Sequence, residues 1–141
     1  MATYNKFQDY VEQLSKAVHN WSSHTFKAVL TNSAPSASNT ILSDITQISG
    51  TNGYTTGGQA LDSVTLAETS GTAKVTIADE VFTASGGSMA AFRYPVIYND
   101  TPTSPADPLV CYFDYGSSVT LADTETFTLD FDATNGLWQL A

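Results

Sequence analysis

The chain has 141 residues, with five Lys and Arg against fourteen Asp and Glu, a formal net charge of −9, and 13% charged residues beside 42% hydrophobic ones. That length suits one domain, which buries roughly 68–70% of its unfolded surface and needs no disulfide staples. Lys6, Lys16, Lys27, Lys74 and Arg93 are scattered, which argues against a phosphate-binding stripe and against nucleic acid as a partner. The acidic surface then serves solubility or meets a basic patch on a partner.

Phe7, Tyr10, Val11, Leu14, Val18 and Trp21 recur at helical spacing, which predicts one amphipathic helix over residues 5–21 with Thr3 or Asn5 as its cap. Its apolar stripe covers one end or face of a sheet, or else docks on another subunit. Residues 25–31 read as a strand with Phe26, Ala28 and Leu30 on one face. Residues 32–39, rich in Ser, Ala and Pro, read as a loop, and Ile41, Leu42, Ile45 and Ile48 allow one or two helical turns.

Residues 49–59 are glycine-rich, but no Lys follows and no strand-to-helix setting frames them, so they do not form a phosphate loop. They are expected to be a flexible surface loop, or an arm ordered by a neighbouring subunit. Strands are predicted at 61–67 and 73–78 around a hairpin turn at Thr69-Ser70-Gly71-Thr72, and at 81–84 before Ser85-Gly86-Gly87-Ser88.

The last fifty residues carry the plainest alternation. Phe92, Tyr94, Val96 and Tyr98 share one parity, as do Leu109, Cys111 and Phe113, and then Phe127, Leu129 and Phe131, before residues 137–140 close the chain. Each run is expected to bury one row and wet the other. Residues 99–108, with Pro102, Pro105 and Pro108, must loop out, because proline lacks the N–H that a central strand donates.

The expected fold is therefore mainly β: an antiparallel β-sandwich, with a jelly roll as one form of it, preceded by one N-terminal amphipathic α-helix. It forms a single domain over 1–141, divided into a helix at 1–22 and a sandwich at 25–141.

Groups that do chemistry are few. Asp130-Phe131-Asp132-Ala133-Thr134-Asn135-Gly136 begins like a calcium loop, yet the required glycine and bidentate glutamate positions hold Asn135 and Ala141. Residues 132–136 read better as a hairpin turn with Asn135 and Gly136 at positive φ. His19 and His24 lack partners at zinc-site spacing, and no Gly-x-Ser-x-Gly elbow accompanies them. Cys111, the single cysteine, lies in an apolar strand pattern and is expected to be a buried thiol. No catalytic residue, metal or cofactor is expected. The run Tyr112-Phe113-Asp114-Tyr115 offers rings and carboxylates for a sugar platform, which keeps a carbohydrate-binding module open. The start of the chain lacks a leader pattern and no run is long enough for a membrane span, so assembly in a cytoplasm is expected.

Tyr4-Asn5-Lys6-Phe7, residues 26–35, the Ser85-Gly86-Gly87 turn and Phe92-Arg93-Tyr94 together resemble a family of small virion proteins of tailed bacteriophages. Tyr98-Asn99-Asp100-Thr101, residues 114–118 and Thr134-Asn135-Gly136 extend the likeness over nearly the whole chain. The resemblance implies a non-enzymatic structural protein located in the virion. A capsid decoration or cement protein on the major capsid protein lattice is the first option, and a tail, neck or fibre component the second. Such a role implies a homo-oligomer, a dimer or trimer by symmetry. Large aromatics dominate interface energies, so Tyr4, Phe7, Tyr10 and Tyr54 are the candidate protein-interface residues.

Overall fold

A computed structural model describes residues 2–141. The fold is mainly β and antiparallel, with one α-helix near the N-terminus. The first difference from expectation comes at once: residues 3–6 form a strand, β1 (Thr3–Lys6), and the helix α1 is confined to Asp9–Ser15. Asp9 and Glu12 lie in its first turn, where they oppose the positive helix end, but Gln8 at the N-cap makes no side-chain capping bond. Ala17 adopts φ 62°. Its N–H bonds to the Leu14 carbonyl and that of Val18 to the Gln13 carbonyl, 3.1 and 3.0 Å, the paired bonds that end a helix in a left-handed cap. Val18 and Trp21 keep helical spacing in sequence, but they lie beyond that stop.

The remaining strands are β2 (Phe26–Thr31), β3 (Gln59–Ala60), β4 (Thr65–Thr69), β5 (Thr72–Thr76), β6 (Glu80–Thr83), β7 (Tyr94–Asn99), β8 (Leu109–Asp114), β9 (Thr126–Leu129) and β10 (Trp138–Leu140). They form a five-stranded sheet in the order β1-β8-β7-β2-β3, a three-stranded sheet β10-β5-β4 and a two-stranded sheet β6-β9. Because β1 pairs with β8 through Tyr4↔Phe113, the first residues belong to the main sheet, and the division into a helical 1–22 and a sandwich from 25 does not hold.

The larger core cluster takes Phe26, Ala28 and Leu30 from β2, Val75 from β5, Phe82 from β6 and Leu129 from β9, an arrangement compatible with a sandwich. A second cluster lies on the opposite face of β2 and β7, where Val29, Val96 and Tyr98 meet Phe7, Ile45 and Leu109. The 3₁₀ turn Leu42–Asp44 lies beside it, with Leu42 packed on that cluster. Asp44 accepts bonds from the N–H groups of Thr40 and Ile41, 2.9 and 3.3 Å, which holds the turn and keeps its carboxyl below the usual range. With both sheet faces covered, every residue of β7 is buried, so the expected wet row is missing there, and most of β2 is buried as well.

The β4–β5 hairpin forms as expected. Ser70 and Gly71 both take positive φ, 52° and 85°, as a two-residue turn matching the strand twist requires. The segment 132–136 is not a hairpin, because β9 pairs with β6 and β10 with β5, and only Gly136 of the Asn-Gly pair has positive φ.

A candidate binding groove between β9 and the β1–β8 edge

The four aromatic residues expected at an interface have different fates. Phe7 is fully buried and packs on Tyr112 with ring centroids 5.2 Å apart. Tyr10 is buried, and its hydroxyl accepts a 2.8 Å bond from the Trp21 indole N–H. Tyr54 is buried too. Its hydroxyl donates to Gln47 Oε1 at 2.7 Å and accepts from the Leu30 N–H at 3.3 Å, and burial pushes its pKa up to about 12. These three rings are spent on the protein's own core and offer no surface to a partner. Tyr4 alone is exposed, at 38%.

The glycine-rich segment is likewise fastened to its own chain. Tyr98 donates to the Gly57 carbonyl at 2.7 Å, and at Gly58, φ +77°, a Cβ would lie 1.9 Å from the Ala28 carbonyl oxygen. It is a packed loop and not an arm awaiting a neighbour.

Tyr4 lines an opening of about 490 Å³ with Phe113, Phe131, Leu137, Asp130 and Asp132. A second opening of about 290 Å³ shares Ala2, Phe113 and Asp130 with it and continues along Phe127, Thr128 and Leu129 to Tyr115 and Pro95. Together they make a groove whose floor is the β1–β8 end of the main sheet and whose wall is β9. Edge-to-face contacts tie its rings together: Tyr4 to Phe113 at 5.7 Å, Phe113 to Phe131 at 6.3 Å, and Tyr115 to Phe127 at 5.4 Å.

Among the described residues no Lys or Arg lines the groove, and its two carboxylates differ. Asp132 accepts from the N–H groups of Thr134 and Asn135 and from the Asn135 side-chain amide, bonds that hold its carboxyl below the usual range. It anchors its own turn, which explains the calcium-like look of the sequence without a cation. Asp130 is exposed and accepts no side-chain hydrogen bond or ion pair among the described residues. Asp114, read with Tyr112 and Phe113 as sugar-platform material, is instead clamped by the Arg93 guanidinium at 2.7 and 3.0 Å, which lowers its pKa.

Away from the groove, His19 and His24 do come together, on one amide. Asn99 is fully buried and its Oδ1 accepts from the Thr101 N–H at 3.2 Å, so its Nδ2 faces the two imidazoles, 3.2 Å from His19 Nδ1 and 2.9 Å from His24 Nδ1. Both rings therefore accept at Nδ1 and carry their proton on Nε2. His19 Nε2 has no partner, and burial, then the nearby His24, lowers the His19 pKa to about 4. Cys111 is buried as expected, with its thiol pKa pushed up by desolvation. Among the described residues no three His, Cys, Asp or Glu side chains gather as a metal site, and no helix is long and apolar enough to cross a membrane.

No family model, curated protein or solved structure matches this chain. Sequence reading missed Asp130 and the β9 wall as parts of a site. The alternation of Phe127, Leu129 and Phe131 predicts a strand, yet nothing local says which neighbour that strand lacks.

Proposed function

We propose that this chain is a non-enzymatic structural protein of a tailed-bacteriophage virion, a decoration protein that binds the assembled head lattice through the groove beside β9. The observation that carries this reading is an open groove of joined aromatic rings with a free carboxylate at its centre, Asp130. Large rings at the middle of a patch are what interface energies concentrate on. The resemblance of the chain to small virion proteins supplies the setting, with the major capsid protein as partner.

Decoration then works by addition. Each copy covers a patch at a capsomer border, where stable contacts bury about 1,200–2,000 Å² in total. Self-association of the copies links neighbouring sites, so that one occupied site raises the effective concentration at the next. Labelled protein should bind expanded shells prepared without it and raise the temperature at which they release DNA. Labelling of tails with no labelling of shells would move the protein to the tail, neck or fibre and sink the decoration reading.

One observation favours a second reading, glycan binding: Tyr4 and Tyr115 expose ring surface, 38% and 44%, at the groove that holds Asp130. Rings stack on apolar sugar faces while a carboxylate accepts hydroxyl bonds. Saturable shifts of tyrosine signals on titration with a broad glycan panel would support it, and silence across the panel would remove it.

A further inference from the structure

Six strands end a sheet among the described residues, β1, β3, β4, β6, β9 and β10. An exposed edge is a template for another chain, and proteins blunt it with charge, proline or brevity. β1 carries Lys6 and β4 carries Glu68, while β3 has two residues and β10 three. On β6, the Gln59 side-chain amide donates to the Val81 carbonyl at 3.0 Å and so occupies the outer edge. β9 reads Thr-Phe-Thr-Leu, with no charge, no proline and strong β-formers throughout. It is the one unguarded edge among them.

The direction of its free backbone groups follows from the ladder. In an antiparallel pair, opposite residues alternately face each other and face away. Val81 turns its carbonyl outward to Gln59, so its opposite residue, Thr128, also directs N–H and C=O away from β6. The alternate parity confirms it: Ala84 N donates to the Glu125 carbonyl, and Phe131 N donates to Asp79 Oδ1, both on the β6 side. The residues that line the opening, Phe127, Thr128, Leu129 and Asp130, are consecutive, so β9 meets the groove edge-on.

We propose that β9 accepts an extended strand donated by a partner protein, which hydrogen-bonds Thr128, lays apolar side chains on Tyr4 and Phe113, and sets a Lys or Arg against Asp130. The inference rests on the proposed function only in taking a protein as partner. Charge selects the occupant: among the described residues the groove is lined by carboxylates and no Lys or Arg, so a strand that brings a cation is favoured over β9 of a second copy, which carries none. Backbone bonds give such a strand its affinity, and the groove reads its alternate side chains.

The probe is a synthetic peptide alternating valine and threonine around a central lysine, titrated into the isotope-labelled full chain, beside a counterpart with glutamate for lysine. Amide exchange at Thr128 and Asp130 should slow, and the glutamate peptide should bind about tenfold more weakly, the equivalent of one charge-assisted contact. Thr128→Pro removes an N–H that the fold itself does not use, so it should lose the peptide while keeping a dispersed spectrum. Asp130→Lys, on an exposed side chain, should reverse the preference between the two peptides. Unchanged exchange at Thr128, or protection confined to another strand, overturns the inference. Shells bound equally by wild type and Thr128→Pro reject strand addition and leave decoration standing. Peptide bound at Thr128 by a protein that binds neither shells nor tails supports strand addition and rejects the virion role.

Discussion

Acid should weaken this fold in a window set by one histidine. His19 is 5% exposed and packs against Tyr10 with ring centroids 4.9 Å apart and against Phe26 at 6.2 Å. Its Nδ1 faces the Asn99 amide donor, so a proton placed there meets another N–H, with His24 on the same amide. None of the ion pairs among the described residues includes His19. Folding thus holds the His19 pKa at about 4, below its ordinary 6.5. Between those values the unfolded chain takes up a proton that the folded chain refuses, so stability falls as pH drops from 6.5 and stops falling, for this group, near 4. At about 1.4 kcal/mol per pH unit the full loss is roughly 3 kcal/mol.

Carboxylates held low in the folded state, Glu12, Asp44, Asp114 and Asp132, contribute stability that is lost only at lower pH. Asp107, raised by desolvation and then by Asp100, works the other way. The upper part of the window therefore belongs to His19. Urea unfolding between about pH 7 and pH 4.5 should show the wild-type midpoint falling by about 1–2 M with little change in slope. His19→Gln, which cannot titrate, should show a nearly flat profile over the same range. Parallel profiles for the two proteins would refute the reasoning.

Phe7→Ala should cost about 3–5 kcal/mol by denaturant titration, because the ring is fully buried, while Tyr4→Ala should cost under about 1 kcal/mol and act instead on partner binding. Gly58→Ala should destabilise by about 2–4 kcal/mol, since both its φ and the Ala28 carbonyl forbid a Cβ. Gly71→Ala, with positive φ but open space around it, should cost only about 1 kcal/mol by the same measurement. The Cys111 thiol should react with an aromatic disulfide reagent only as fast as the protein unfolds, and rapid labelling of the native state would contradict its burial.

Several features were legible because their causes are local. Alternation of apolar residues marks β2, β8 and β9 wherever they pair, since side chains of a strand always point to opposite faces. Ser70-Gly71 dictates its turn through positive φ, and the proline-rich stretch leaves the named strands from residue 100 to 108, one residue later than expected because Asn99 still pairs with Phe26 at the end of β7. Hydrophobic spacing also placed a helix correctly around Asp9–Ser15 but overran at both ends. Phe7 and Trp21 fit its stripe because a 3.6-residue period and a turn that buries an aromatic leave the same local trace.

Sequence alone determined the strand-rich class, the hairpin turn, the buried thiol and the lack of a basic stripe, because each rests on neighbouring residues or on composition. Only the tertiary structure decided that β7 is covered on both faces, that Phe7, Tyr10 and Tyr54 belong to the core, that two histidines share one amide, and that β9 keeps a free edge beside Asp130. Those features depend on which strands become neighbours. Pairing joins residues far apart in the chain, Tyr4 with Phe113 or Val81 with Thr128, through backbone groups that are the same in every residue.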